Sequence, residues 1–120
     1  MLFCDTEEKF KASPTLITAG ASYLDIDAYA CMVAMAELLC LKGENAHAYS
    51  PAKNNYSICP DFVRAGDVQK VLPDSLDPER TRYIIVDVSD PGYLENAVPL
   101  DKVAMVYDHH AGFEEYWAQL

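Results

Sequence analysis

Tyr83-Ile-Ile-Val-Asp-Val88 is the stretch of sequence that decides the fold. It is an almost continuous run of β-branched residues, as expected for a strand that is covered on both faces. Such strands are typical of parallel sheets whose crossover helices pack on the faces. The one acid, Asp87, interrupts the apolar run, and a carboxylate in that setting needs partners. The stretch therefore predicts a buried parallel strand with a functional acid near its C-terminal end.

Three further strands are predicted on either side of this stretch. Lys102–Tyr107 is a second apolar run, which we expect to be buried as well, and Asp108-His-His110 ends it abruptly. Leu16–Thr18 and Ala46–Ser50 are shorter β-favouring segments. Because strands that alternate with helices pair in parallel, all four are expected in one sheet.

The segment Asp27–Lys42 predicts the main helix. An acid at its start and Lys42 at its end suit the helix dipole, and Gly43 suits the C-cap position. Apolar residues surround most of the axis, so the helix is expected to pack on the sheet and against a second layer. The fold class predicted is α/β, a parallel sheet with helices on both faces, in one partial domain over residues 1–120. Weaker helical signals occur at Glu7–Ala12, Phe62–Leu72, Pro91–Ala97 and Phe113–Leu120.

Composition restricts the possible partners. The 120-residue chain is 51% hydrophobic, with a net charge of −10 and a pI near 4.5. This charge disfavours long nucleic acid, whereas a small phosphate compound could bind if divalent cations reversed the charge locally. The longest apolar stretch, Ala28–Leu41, is too short for a membrane span, and Met1–Lys9 does not resemble a signal peptide. We therefore expect a cytoplasmic protein without a membrane partner.

The cysteines do not form a Cys-x-x-Cys pair, which argues against a structural zinc site. Cys31 and Cys40 lie in the apolar helical segment and are expected to be buried free thiols in a reducing compartment. The four cysteines are Cys4, Cys31, Cys40 and Cys59.

Acids and histidines follow three of the predicted strands. Asp25 and Asp27 come after the first strand, Asp87 ends the third, and Asp108 follows the fourth together with His109 and His110. Ligands collect at the carboxyl ends of parallel strands, so these side chains are expected at one edge of the sheet. Carboxylates and imidazoles suit manganese, iron, zinc or cobalt better than calcium. Two such cations would activate a water for phosphoester or phosphoanhydride hydrolysis.

Each element also has a purely structural interpretation. Asp25-Ile-Asp27 could be a helix N-cap with first-turn charge, and His109-His110 could be part of a turn. His47 is distant in sequence from the acids and is expected to be structural or exposed. The loop Lys53–Asn55 is expected to be a solvated turn.

Three ordered motifs resemble the DHH phosphoesterases. Asp108-His109-His110 after an apolar strand matches the tripeptide that names the family. Ile85-Val86-Asp87 resembles the second motif, and Leu24-Asp25-Ile26-Asp27-Ala28 resembles the first. The match extends from about Leu16 to Trp117.

This resemblance implies a metal-dependent hydrolase, usually loaded with Mn²⁺, with Mg²⁺ or Co²⁺ as alternatives. Its substrates would be pyrophosphate, polyphosphate or short nucleotides. By the family pattern Asp25, Asp27, Asp87 and His109 are metal ligands, whereas Asp108 and His110 support the site or contact phosphate.

Two departures from the pattern predict weak catalysis. The family commonly has a histidine where this chain has Ala21, and the fourth-motif Asp would lie beyond Leu120. The expected context is therefore a truncated relative that belongs with a C-terminal domain or a homo-oligomer. A non-catalytic module that binds metal or nucleotide is the main alternative. A receiver domain also carries acids at strand ends, but the His-His pair and the lack of a suitable lysine at a late strand end argue against it.

Overall fold

The predicted strands form one parallel sheet. The computed structural model of the chain describes residues 13–20, 26–50, 68–69, 72, 74–94, 97–109 and 117–118. The long elements are β1 (Thr15–Thr18), α1 (Ile26–Leu41), β2 (Ala46–Ala48), β3 (Arg82–Val86) and β4 (Val103–Tyr107). Short 3₁₀ helices occur at Pro78–Arg80, Pro91–Leu94 and Leu100–Lys102.

The strand order is β2-β1-β3-β4, and every adjacent pair is parallel. Thr15 in β1 is in register with Ala46 on one side and with Arg82 on the other. The prediction of a four-stranded parallel sheet is therefore confirmed, including the parallel pairing of β3 with β4. Because parallel strands end at the same edge, residues after β3 and β4 are brought together with the start of α1.

The hydrophobic core lies between α1 and the central strands. Leu16 and Ile17 of β1 and Ile85 of β3 are completely buried. Met32 and Ala36 of α1 are also completely buried, and they belong to the same cluster of core residues. The β-branched run that predicted a buried strand thus lies at the centre of the sheet, where it is covered.

The C-terminus of α1 is closed by a glycine. Gly43 has a φ of +87°, which L-residues with a side chain rarely adopt. Its N–H donates to the carbonyl of Cys40, and the N–H of Glu44 donates to the carbonyl of Leu39. These two bonds form a Schellman motif, so the predicted role of Gly43 is confirmed.

The prediction that the fourth strand is buried is wrong. Ala104, Met105 and Tyr107 of β4 are exposed, the last two with relative accessibilities of 48% and 47%. The physical reason is position: β4 is the last strand of the described sheet, and α1 packs mainly on β1 and β2. An apolar run shows that a strand can be buried, but burial also requires another element to cover it.

The prediction for α1 is correct on one face. Leu38 and Leu41 are 49% and 68% exposed, so the second layer expected there is not present in the described residues. Cys31 is exposed, and Cys40 is disulfide-bonded, so the expectation of buried free thiols is wrong for both. Because α1 is the one long helix in the described part of the chain, helices on both faces of the sheet remain a prediction. None of the described helices combines the length and apolar character that crossing a bilayer requires.

The weaker helix predictions have mixed outcomes. The predicted helix Phe62–Leu72 is wrong at Gln69, which forms an isolated parallel bridge with Tyr49. The N–H of Gln69 donates to the carbonyl of Ala48, so it is not available for a helical hydrogen bond. Pro91–Leu94 forms a 3₁₀ turn within the predicted Pro91–Ala97. Glu7–Ala12 and most of Phe113–Leu120 lie outside the described residues, as do Lys53–Asn55.

Candidate metal centre

Asp27 comes from the first turn of α1. The helix dipole is positive at this end, so a carboxylate is electrostatically favoured there without any further partner. The Asp27 side chain is 57% exposed, which leaves one side of the carboxylate open to solvent. The helix-start interpretation of this acid is therefore correct, and it is compatible with a ligand role.

Asp87 follows β3 directly and has an unusual backbone conformation. Its φ of +56° lies in the left-handed region, which aspartate tolerates better than most residues that carry a side chain. Its N–H donates to the carbonyl of Tyr107 at 2.9 Å, which extends the contact between β3 and β4 by one bond. The side chain is only 7% exposed. The Asp87 carboxylate is thus the buried side chain at this edge of the sheet.

His109 joins the two carboxylates. Its Nε2 lies 3.0 Å from Oδ1 of Asp87 and 3.3 Å from Oδ2 of Asp27. One ligand atom from each of the three residues lies within 4.8 Å of the other two. The imidazole is 70% exposed, so this site is open on the side of His109 and Asp27 and closed at Asp87. The three side chains come from three different elements that meet at the carboxyl edge of the sheet.

The donor set fits one divalent cation. Two carboxylate oxygens and one imidazole nitrogen suit Mn²⁺, Co²⁺ or Zn²⁺, whereas Ca²⁺ prefers six to eight oxygens. In the arrangement described here the Nε2 proton of His109 can bridge to a carboxylate. A cation between the three side chains would take the place of that proton, since an imidazole nitrogen binds metal through its lone pair.

The structure brings together three of the six residues predicted for the site. Asp27, Asp87 and His109, three of the four predicted metal ligands, converge. Asp108 is half-buried and is not a member of this ligand group. Asp25 and His110 lie outside the described residues. Among the described residues this is the one group of three or more potential ligands, so those residues offer ligands for at most one ion.

Cys31 is a neighbour of the site that the sequence interpretation missed. Its thiol donates to Oδ1 of Asp27, with a sulfur–oxygen distance of 3.7 Å. The signal was available, because residues four apart on a helix lie on the same face. The apolar character of the surrounding segment favoured burial instead, whereas Cys31 is exposed and its thiol lies beside Asp27.

His47, in contrast, belongs to the core. It is completely buried at the middle of β2, and its Nε2 is 2.8 Å from Oδ1 of Asn45. The structural interpretation of this histidine is confirmed, and it takes no part in the candidate metal centre.

The comparisons with known proteins do not extend the motif resemblance. The chain matches no protein-family model, and neither a curated protein nor a solved structure is significantly similar to it. The three motifs in the sequence and the geometry of Asp27, Asp87 and His109 are therefore the features that bear on function.

Proposed function

We propose that the chain binds one divalent cation through Asp27, Asp87 and His109, as the metal-binding part of a DHH-like hydrolase of small phosphate compounds. The observation that supports this is the convergence of three residues that were selected from sequence motifs. They are separated by 60 and 22 positions in the chain, yet their ligand atoms lie within 4.8 Å of one another. They meet at the carboxyl edge of the sheet, which is where parallel α/β sheets bind ligands.

The exposure of the three side chains suits a site that must also admit a substrate. Asp87 would bind the cation on its buried side, whereas Asp27 and His109 would bind it on the side that is open to solvent. A divalent cation held there lowers the pKa of a coordinated water and polarises a phosphoryl oxygen. The protein is strongly acidic, so a small phosphate compound is a more suitable substrate than a long nucleic acid.

The number of ligands argues for slow turnover. A two-ion mechanism requires two cations in fixed geometry, and the described residues supply ligands for one. By the family resemblance, a histidine would stand where the chain has Ala21, which has no donor atom. This observation favours a second candidate function, a module that binds metal or a nucleotide–metal complex without hydrolysing it.

The binding part of the proposal is tested by titration with Mn²⁺, monitored by electron paramagnetic resonance. We expect one ion per chain, and Asp27→Asn should weaken binding at least tenfold because it removes a charged ligand. Asp101→Asn is the matched control, since Asp101 is an exposed acid in the 3₁₀ helix before β4, at the other end of that strand. Equal affinity of the two variants, or no binding by the native chain, would contradict the proposal.

The catalytic part is tested by phosphate release from pyrophosphate and hydrolysis of a nitrophenyl phosphodiester, each with and without Mn²⁺. We expect slow, metal-dependent turnover that Asp27→Asn abolishes and Asp101→Asn retains. Binding without any turnover would select the non-catalytic module. Rapid turnover would show that the chain holds a second ion with residues outside the described ligand group.

A further inference from the structure

Trp117 forms a hydrogen bond to the segment that contains Asp87. Its indole Nε1 donates to the carbonyl oxygen of Ser89 at 3.1 Å, and the ring packs against the hydrophobic core. Ser89 follows Asp87 by two residues, whereas Trp117 is 28 positions further along the chain. The bond therefore connects a distant helical residue to the segment in which the most buried metal ligand is found.

The segment after β3 needs such support because of its conformation. Asp87 has a φ of +56°, and this left-handed conformation is unfavourable for a residue with a side chain unless the surroundings fix it. The neighbouring Val88 and Ser89 are 2% and 9% exposed. Further along, the N–H of Gly92 donates to Oδ1 of Asp90 at 2.8 Å. Burial thus fixes Val88 and Ser89, a local bond orders the turn at Asp90, and the bond from Trp117 connects Ser89 to a distant part of the chain.

The carbonyl of Ser89 would lose a protein donor if the indole N–H were removed. A buried carbonyl without that donor favours a shift of the segment toward water or another donor. Such a shift is transmitted to Asp87, two residues away. Metal ligands tolerate little displacement. Loss of a hydrogen bond made directly to a ligand typically weakens metal binding by roughly 10- to 100-fold, and an indirect displacement of Asp87 is expected to act at the lower end of that range.

We propose that Trp117 is a positioning residue that orients Asp87 through its hydrogen bond to Ser89, and so sets the affinity and geometry of the cation site. This inference rests on the proposed function, because it concerns the same cation. Trp117 itself does not need to touch the cation or a substrate.

The test uses the fact that Trp117 is the one tryptophan of the chain. Growth of a tryptophan-requiring host on benzothienylalanine replaces this residue with an isostere in which sulfur takes the place of the indole N–H. The shape of the ring is retained, and the hydrogen bond is lost. Trp117→Phe is the genetic counterpart, and Tyr49→Phe is the control, since Tyr49 is a half-buried aromatic residue beyond β2.

Co²⁺ is the probe, because its visible absorption bands report coordination geometry and a loss of stability alone does not move them. We expect the isostere to bind Co²⁺ about 10-fold or more weakly, with altered bands, while Tyr49→Phe behaves like the native chain. Unchanged affinity and bands in the isostere would overturn the inference but leave the proposed function intact. If the native chain binds no Co²⁺, the inference about Trp117 and the proposed function both fail. If Trp117→Phe does not fold, the isostere still decides.

Discussion

β3 and β4 are neighbours in the sheet and both are largely apolar, yet their environments differ sharply. Both are short apolar strands, and each leads into a residue of the candidate metal centre. In β3, all residues from Tyr83 to Val86 are buried, whereas β4 exposes Met105 and Tyr107. The comparison shows that composition determines which segments become strands, whereas the position of a strand in the sheet determines how much of it is buried.

The same difference is visible in the site. Asp87 after β3 is almost completely covered, whereas His109 after β4 is mostly exposed. A cation at this edge would thus have one rigid ligand on the side of the core and two ligands on the side of the solvent. Substitutions in β3 and the segment after it should therefore differ in effect from substitutions in β4 and the segment after it.

The largest expected effect is on stability. Ile85→Ala in β3 removes completely buried methyl groups, and we expect a loss of about 2–5 kcal/mol in the free energy of unfolding. Met105→Ala in β4 removes a side chain that is 48% exposed, and a loss below about 1 kcal/mol is expected. Urea unfolding monitored by circular dichroism measures both. Similar losses in the two variants would mean that β4 is covered in solution.

The second effect is on cation affinity. Asp87→Asn removes the covered ligand, and Mn²⁺ binding should weaken by more than the roughly 100-fold that the loss of an outer hydrogen bond can cause. Asp108→Asn removes an acid after β4 that is not a member of the ligand group, so a change below about threefold is expected. Calorimetric titration compares the two variants. A larger effect of Asp108→Asn than of Asp87→Asn would mean that the ligands are assigned incorrectly.

A smaller effect on stability is expected from the backbone conformation at Asp87 and Asp108. Because Asp87 has a positive φ, Asp87→Gly should be about 1 kcal/mol more stable than Asp87→Ala, although both lack the carboxylate. Asp87 is the one residue other than glycine with a positive φ in the described part of the chain. At Asp108 the order should therefore reverse, with alanine more stable than glycine. Thermal melts of the four variants measure whether the glycine or the alanine variant is more stable at each position.

The smallest effect concerns alkaline pH. Burial, and secondarily the proximity of Tyr49, raises the pKa of Tyr83 above its ordinary value of 10.0. The folded state favours the neutral phenol, so this contribution to stability is complete below pH 10 and is lost as the pH rises through the higher folded pKa. Tyr83→Phe should therefore flatten the decline of the melting temperature above pH 10. Tyr107→Phe on exposed β4 is the control, and an equal flattening there would contradict the assignment to Tyr83.

The strands could be predicted from the sequence because two are apolar runs and two are short β-favouring segments, and these properties are local. The sequence also predicted that Asp27, Asp87 and His109 would meet, because carboxyl ends of parallel strands share one edge. Both inferences depend on patterns that survive in any arrangement of a parallel sheet. Neither inference requires knowing which strand lies at the edge of the sheet.

The features that the sequence did not reveal depend on distant contacts. Exposure of β4 follows from the order of the strands and from the placement of α1, neither of which is encoded within Lys102–Tyr107. The bridge between Gln69 and Tyr49 overrides a helix-like spacing of apolar residues. The left-handed backbone of Asp87 and its link to Trp117 through Ser89 likewise depend on how separate segments pack.

The marginal position of β4 has a consequence for hydrogen exchange. In a parallel pair, successive residues of a strand direct their amides to opposite sides. In the described sheet β4 has β3 on one side and no strand on the other. Along Val103–Tyr107, amides that face β3 should exchange slowly with deuterium, and the intervening ones should exchange rapidly. In β3, which has a strand on each side, no such two-residue alternation is expected.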